Sequence, residues 1–231
     1  MKRSATGIGL KDRVSPSPRT AWRGPARAVA IGGSAGGPQA LVSALAALSP
    51  DFALPILVVQ HLHFTDAGRF AEHLGRLVPL PVIEPCDKEP IKGGTVYTAP
   101  ANYHMLVERD GTISLSVDAK VNWSRPSMDV LFESAARVWG SGLVAVVLSG
   151  ANRDGARGLA AVRRAGGMTL AQDPGTADCP IMPQASIDAG VVDEVLPADE
   201  IGRRLLQFAM SALPVAGANG CHGPDTEGIR E

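Results

Sequence analysis

Three short segments of the chain carry residue types able to do acyl-transfer chemistry, and each directly follows an apolar run. The first reads Gly32-Gly33-Ser34-Ala35-Gly36-Gly37-Pro38. Its Gly32-x-Ser34-x-Gly36 spacing is that of a nucleophile elbow, a sharp strand-to-helix turn that lifts a serine hydroxyl clear of a sheet. Small neighbours let backbone N–H groups approach an oxyanion, and a helix start adds positive potential. Pro38 stands where a Walker loop needs lysine, and no glycine triplet has the dinucleotide-binding spacing. A plain glycine-rich phosphate-binding turn would read much the same.

The second segment reads Gln60-His61-Leu62-His63. A serine is a weak nucleophile until a base takes its proton, which makes His61 a candidate. Two histidines at period 2 share a face and also suit a metal, although no Cys or His cluster elsewhere completes a site. A histidine that only caps a loop is the plainer alternative. The third segment reads Leu148-Ser149-Gly150-Ala151-Asn152-Arg153-Asp154-Gly155. Asp154 is either a helix N-cap or the acid that orients and stabilises an imidazole. Chain order then discriminates. In α/β-hydrolases the elbow follows several strands and the order is Ser, acid, His. Here the elbow follows the first strand and the order is Ser34, His61, Asp154, with the late His222 in a polar tail.

The elements that must position these residues alternate. Strands are predicted at Ala28 to Ile31, Ile56 to Gln60, Val82 to Glu84, Val96 to Ala99, Leu143 to Leu148, Met168 to Ala171 and Val191 to Val195. Between and after them, apolar residues at helical spacing predict helices at Pro38 to Leu48, Ala67 to Leu77, Ser127 to Trp139, Arg157 to Arg164 and Glu200 to Ala212, with Leu41, Leu45, Leu48, Phe70, Leu74 and Leu77 facing inward. Asp110-Gly111 between two short apolar runs signals a hairpin. Repeated βα order predicts an α/β fold, a doubly wound, mostly parallel sheet with helices on both faces and one small antiparallel hairpin. Sites in such sheets lie beyond the carboxyl ends of the strands, where all three segments fall.

Composition narrows the function classes. The 231 residues carry a net charge of −1, so no global field recruits nucleic acid. The apolar runs are far shorter than the ~20 residues needed for a membrane span, so no membrane insertion is expected. Cys86, Cys179 and Cys221 make neither a disulfide framework nor a zinc pattern, which fits a reducing cytoplasm. Residues 1–27 sum to +6 and read as a disordered basic tail, residues 28–213 as the catalytic domain, and residues 214–231 as a flexible tail.

Together the segments AVAIGGSAGG (28–37), VVQH (58–61), RPSMDVLF (125–132) and LSGANRDG (148–155) resemble the catalytic domain of the chemotaxis receptor methylesterases, the CheB type, from about Ala28 to about Leu206. The resemblance implies a protein-glutamate methylesterase, often also a glutamine deamidase. Its substrates would be methylated side chains on the cytoplasmic helices of chemoreceptors, and it needs no cofactor or metal. By position Ser34 is the nucleophile, His61 the base and Asp154 the acid. Gly33, Ala35, Ala151 and Arg125 form the oxyanion and substrate-binding set, although Arg125-Pro126-Ser127 also reads as a plain helix start. The family usually has Ser-Thr-Gly-Gly where this chain has Ser34-Ala35-Gly36-Gly37, and Thr-Gly-Met-Gly-x-Asp-Gly where it has residues 149–155. His63 replaces a common proline. Typical members also carry an N-terminal phosphoacceptor receiver. Only 27 residues precede the first strand here, so action without a covalently attached receiver is expected, with a separate response regulator as a further partner. A non-catalytic signalling module of the same fold, or an esterase on another substrate, are the alternative readings.

Overall fold

A strand covered on both faces has no polar side to show, and Ile56–Gln60 and Leu143–Val147 are buried at every position. The computed structural model describes Trp22 and residues 24–212, so most of the basic tail, the whole C-terminal tail, Cys221 and His222 lie outside the described residues. In chain order the elements are β1 (Ala28–Gly33), α1 (Gly37–Ala46), β2 (Ile56–Gln60), α2 (Arg69–Gly75), β3 (Val82–Ile83), β4 (Val96–Thr98), β5 (His104–Val107), β6 (Ile113–Ser116), α3 (Met128–Trp139), β7 (Leu143–Val147), α4 (Ala156–Arg164), β8 (Met168–Gln172), α5 (Ile181–Asp188), β9 (Glu194–Leu196) and α6 (Ala198–Ala212).

Seven strands form one parallel sheet in the order β3-β4-β2-β1-β7-β8-β9, and β5 and β6 pair antiparallel as a separate hairpin. The chain runs outward from β1 in one direction, then returns to lay β7 on its other side. The crevice between β1 and β7 is therefore the topological switch point, where open α/β sheets hold their sites.

Side-chain alternation along β1 divides the core. Val29 and Ile31 face a layer built from Leu41 and Leu45 of α1, Phe70 and Leu74 of α2, and Ile201, Leu205 and Phe208 of α6. Ala28 and Ala30 face the other layer, with Met128, Leu131 and Phe132 of α3, Leu159 and Val162 of α4, Met182 and the hairpin residues Met105 and Ile113. Alanine on this second face lets α3 pack close to the sheet. At Gly32 even a β-carbon would meet Met128 Sδ at 2.4 Å, so the approach is closer than any side chain allows.

The structure departs from the sequence expectation in three places. Leu77 does not face inward: α2 ends at Gly75, and Leu77 is 46% exposed beyond it. The last strand is Glu194–Leu196 rather than Val191 to Val195, because Asp193 is held back by Thr169, whose N–H and hydroxyl both donate to its carboxylate. Helix α5 was not expected at all; Pro183 lies in its first turn, where a missing N–H costs nothing. Among the described residues no helix is long and apolar enough to cross a membrane.

Candidate active site

Ser34 is the first residue past β1. Its N–H donates to the Ser149 carbonyl at 2.9 Å, which ties the β1 exit to the β7 exit. Its carbonyl accepts from Gly37 N–H at 2.9 Å and from Gln60 Nε2 at 2.8 Å. Gln60 is buried and spans the turn: Nε2 also donates to the His61 carbonyl, and Oε1 fills the space a β-carbon at residue 37 would need, at 2.4 Å. Gly36 takes φ 72°, a left-handed conformation open to glycine, and a side chain there would strike Asp178 and the Ser149 hydroxyl. Backbone on every side thus fixes Ser34. Its hydroxyl, and the N–H groups of Ala35 and Gly36, have no hydrogen-bond partner among the described residues. Unpaired donors beside a serine at a helix start are the arrangement that suits a developing oxyanion.

His61 leaves β2 beside it. Its N–H donates to the Gly33 carbonyl at 3.1 Å, so parallel pairing of β1 with β2 sets the serine and the imidazole at adjoining strand ends. The ring lies with Nε2 2.9 Å from Asp154 Oδ2. A carboxylate at Nε2 fixes the proton there and leaves the lone pair on Nδ1. Nδ1 lies 3.4 Å from the Asn152 amide nitrogen, a donor to that lone pair.

Asp154 is completely buried and saturated with donors. Oδ1 accepts from Ser127 Oγ at 2.8 Å and from Asn122 Nδ2 at 2.8 Å; Oδ2 accepts from the Met128 N–H at 2.7 Å as well as from His61. Burial alone would push this carboxyl up, but the hydrogen bonds from His61, Asn122, Met128 and Ser127 together hold it below the ordinary aspartate value. The alternative reading of Asp154, an N-cap at its own helix, is not what the structure has. Gly155 caps α4, while Asp154 satisfies the first N–H of α3. Nor does the Ser127 side chain, though Ser127 is the N-cap residue of α3, bond back to that helix; its hydroxyl goes to Asp154.

The favour is returned from the other helix. Asp129, in the first turn of α3, accepts from the Gly155 and Gly158 N–H groups at 3.0 and 2.7 Å and so caps α4. Each helix start is closed by a carboxylate next to the other. Asn122 Nδ2 stands between them, 2.8 Å from Asp129 Oδ2 and from Asp154 Oδ1. Burial, with the Asp154 charge adding to it, pushes the Asp129 carboxyl up despite the donated Gly158 N–H. Sequence reasoning missed Asn122 and Asp129 and left Gln60 without a role. Asp129 was visible only as an acid in a helix first turn, and its partners are remote in the chain.

The other predicted residues divide. Gly33 serves the β1–β2 ladder through its carbonyl. Ala151 is exposed, with no partner for its N–H among the described residues. Arg125 donates from one guanidinium nitrogen to the Val117 and Asp118 carbonyls and lines a cleft of about 230 Å³ that also includes His61, Lys120 and Trp123. His63 turns away from the aspartate, bonding Thr65 Oγ1 at 2.8 Å and stacking on Phe64. No group of three potential metal ligands occurs among the described residues.

Comparison with known proteins bears on this arrangement. A family model described as CheB methylesterase matches residues 29–205. A Leptospira interrogans protein named "Putative protein-glutamate methylesterase/protein-glutamine glutaminase" is 42% identical over 186 residues, 80% of this chain and 96% of that protein. Protein-glutamate methylesterase/protein-glutamine glutaminase 2 of Anaeromyxobacter dehalogenans is 43% identical over 200 residues, 87% of this chain and 58% of that longer protein. The crystal structure of the Thermotoga maritima CheB methylesterase catalytic domain superposes with a TM-score of 0.76 at 34% identity, covering 79% of this chain and 98% of that one.

Proposed function

The chain belongs to the CheB methylesterase family and is an enzyme of its protein-glutamate methylesterase class; on that premise we propose that Ser34, His61 and Asp154 carry the reaction. The observation that supports this most is His61 bound to the buried Asp154 at a strand end adjoining that of Ser34, whose hydroxyl has no partner among the described residues. Ser34 Oγ attacks the carbonyl carbon of a methyl-esterified glutamyl side chain while His61 Nδ1 takes its proton. Asp154, bound to Nε2–H, stabilises the imidazolium. The tetrahedral oxyanion is held by backbone N–H groups of Ala35 and Gly36, or by that of Ala151. Collapse expels methanol, protonated by His61. A water, deprotonated by the same ring, then releases glutamate and restores the serine. With glutamine as substrate the leaving group is ammonia and the rest is unchanged.

The substrates we propose are methylated cytoplasmic helices of chemoreceptors. The cytoplasm is accordingly the place of action, and a separate response regulator a further partner. We assign the catalytic unit to residues 28–213. A serine-directed phosphonate tests the reading: the label is expected on Ser34, with parallel loss of methanol release from a methylated receptor fragment. Methanol release that survives full labelling of Ser34 would overturn it.

A further inference from the structure

Residues 121–124 form a tight turn in which Val121 and Ser124 exchange both backbone hydrogen bonds, at 3.1 and 2.9 Å. The two central residues, Asn122 and Trp123, have φ of 51° and 64°. Positive φ at both central positions is the requirement of a type I′ turn, whose second central residue is by preference glycine. A bulky residue there is strained, and a position held against strain is a candidate for function. Trp123 is also 94% exposed, so packing does not explain it. Its neighbour Asn122 does the opposite, reaching inward to the Asp129 and Asp154 carboxylates. A single turn thus places the backbone of an exposed indole relative to the acid that holds His61. Trp123 and His61 line the same cleft. Phe64, 67% exposed, stands on the same lining, as do Lys120 and Arg125, and no carboxylate is on it. Lys120 makes no ion pair among the described residues.

From this we infer that Trp123 is a specificity-determining residue: its indole packs on an apolar side chain about one turn from the reacting glutamyl group of an acidic amphipathic helix. Exposed aromatics beside a cationic, carboxylate-free cleft suit a helix with apolar and acidic side chains on one face. The inference rests on the methylesterase reading above and adds what selects the substrate.

The test uses the full chain and two synthetic helical peptides, each with one γ-methyl glutamate and flanking acids, one with leucine four positions away and one with alanine there. Trp123→Gly suits the left-handed backbone, so its melting temperature is expected to match or exceed the parent's. On the leucine peptide it is expected to raise KM at least ten-fold with kcat retained, and on the alanine peptide to change KM far less. Equal responses on the two peptides, or none, would overturn the inference. Binding is read separately with Ser34→Ala protein: the leucine peptide should shift tryptophan emission to the blue, and the shift should vanish in Ser34→Ala/Trp123→Phe. A parent enzyme that turns over p-nitrophenyl acetate at Ser34 but neither peptide would defeat the methylesterase reading alone. Absence of the emission shift would defeat the role of Trp123 whatever the turnover.

Discussion

The two halves of the site are built to opposite standards of satisfaction. On the β1 side the backbone of Ser34 is tied to Ser149, Gly37 and Gln60, while its hydroxyl and the next two N–H groups have no partner among the described residues. On the β7 side Asp154 is sealed from water and every lone-pair direction is occupied. The difference follows from what each must do. A nucleophile and an oxyanion pocket exchange partners during turnover, so partners supplied in advance would have to be broken. An orienting carboxylate keeps the same partner throughout, and each fixed donor keeps it ionised and in place.

The contrast predicts different failures for the two ends. Ser34→Ala should lower methanol release by about 10³-fold or more while the urea midpoint hardly moves. Asp154→Ala should also lose activity, yet cost roughly 3 kcal/mol of stability, since Ser127 Oγ and the Met128 N–H are left buried without an acceptor. Equal stability losses in the two variants would break the distinction. Next in size is the histidine pair. His61→Gln should abolish turnover and His63→Gln reduce it only modestly, because His63 bonds Thr65 and not the aspartate; steady-state kinetics with the reverse ranking would move the base to His63.

Asn122→Ala sharpens the comparison from the saturated side. It removes a donor from Asp154 and unmasks repulsion by Asp129. With one of its positioning bonds gone the carboxylate no longer holds the ring in register, so kcat should fall about ten-fold, while its less shared charge moves the acid limb of the pH–rate profile to higher pH. A lower melting temperature with an unmoved acid limb would make Asn122 merely structural.

The smallest effect is on stability against pH, and here the two carboxylates have opposite signs. The depressed Asp154 group stabilises the fold above its unfolded value, and that contribution is lost as pH falls below 3.8 through its folded value. The raised Asp129 group does the reverse: its protonated form is favoured by folding, and stability is lost as pH rises past 3.8 through the folded value. Denaturation of Asp154→Asn and Asp129→Asn between acid and neutral pH should therefore converge with the parent from opposite directions.

How much of this was legible depended on how far apart the partners are in the chain. Strand β2 could be read residue for residue, since an apolar β-branched run is bounded by Pro55 and a polar His61. Ser34, His61 and Asp154 stood out because each closely follows such a run. Helix α5 gave no apolar stripe to find: Met182, Pro183 and Ser186 face inward while Ile181 is exposed. Asn122, Gln60 and Asp129 were illegible for another reason. Their importance lies in bonds to residues 32, 26 and 29 positions away, and nothing local in the chain marks a side chain that will bridge two others.

The mutual capping of α3 and α4 has a consequence for motion. When the first turn of either helix frays, it withdraws the carboxylate that closes the other, so the two starts cannot loosen one at a time. The amides of Met128, Gly155 and Gly158, though distributed over two helices, should exchange with solvent deuterium as one cooperative unit. The imidazole of His61 loses its carboxylate only in those shared openings, so the lifetime of the catalytic geometry is set by a pair of helix ends and not by the local mobility of the loop that carries Asp154.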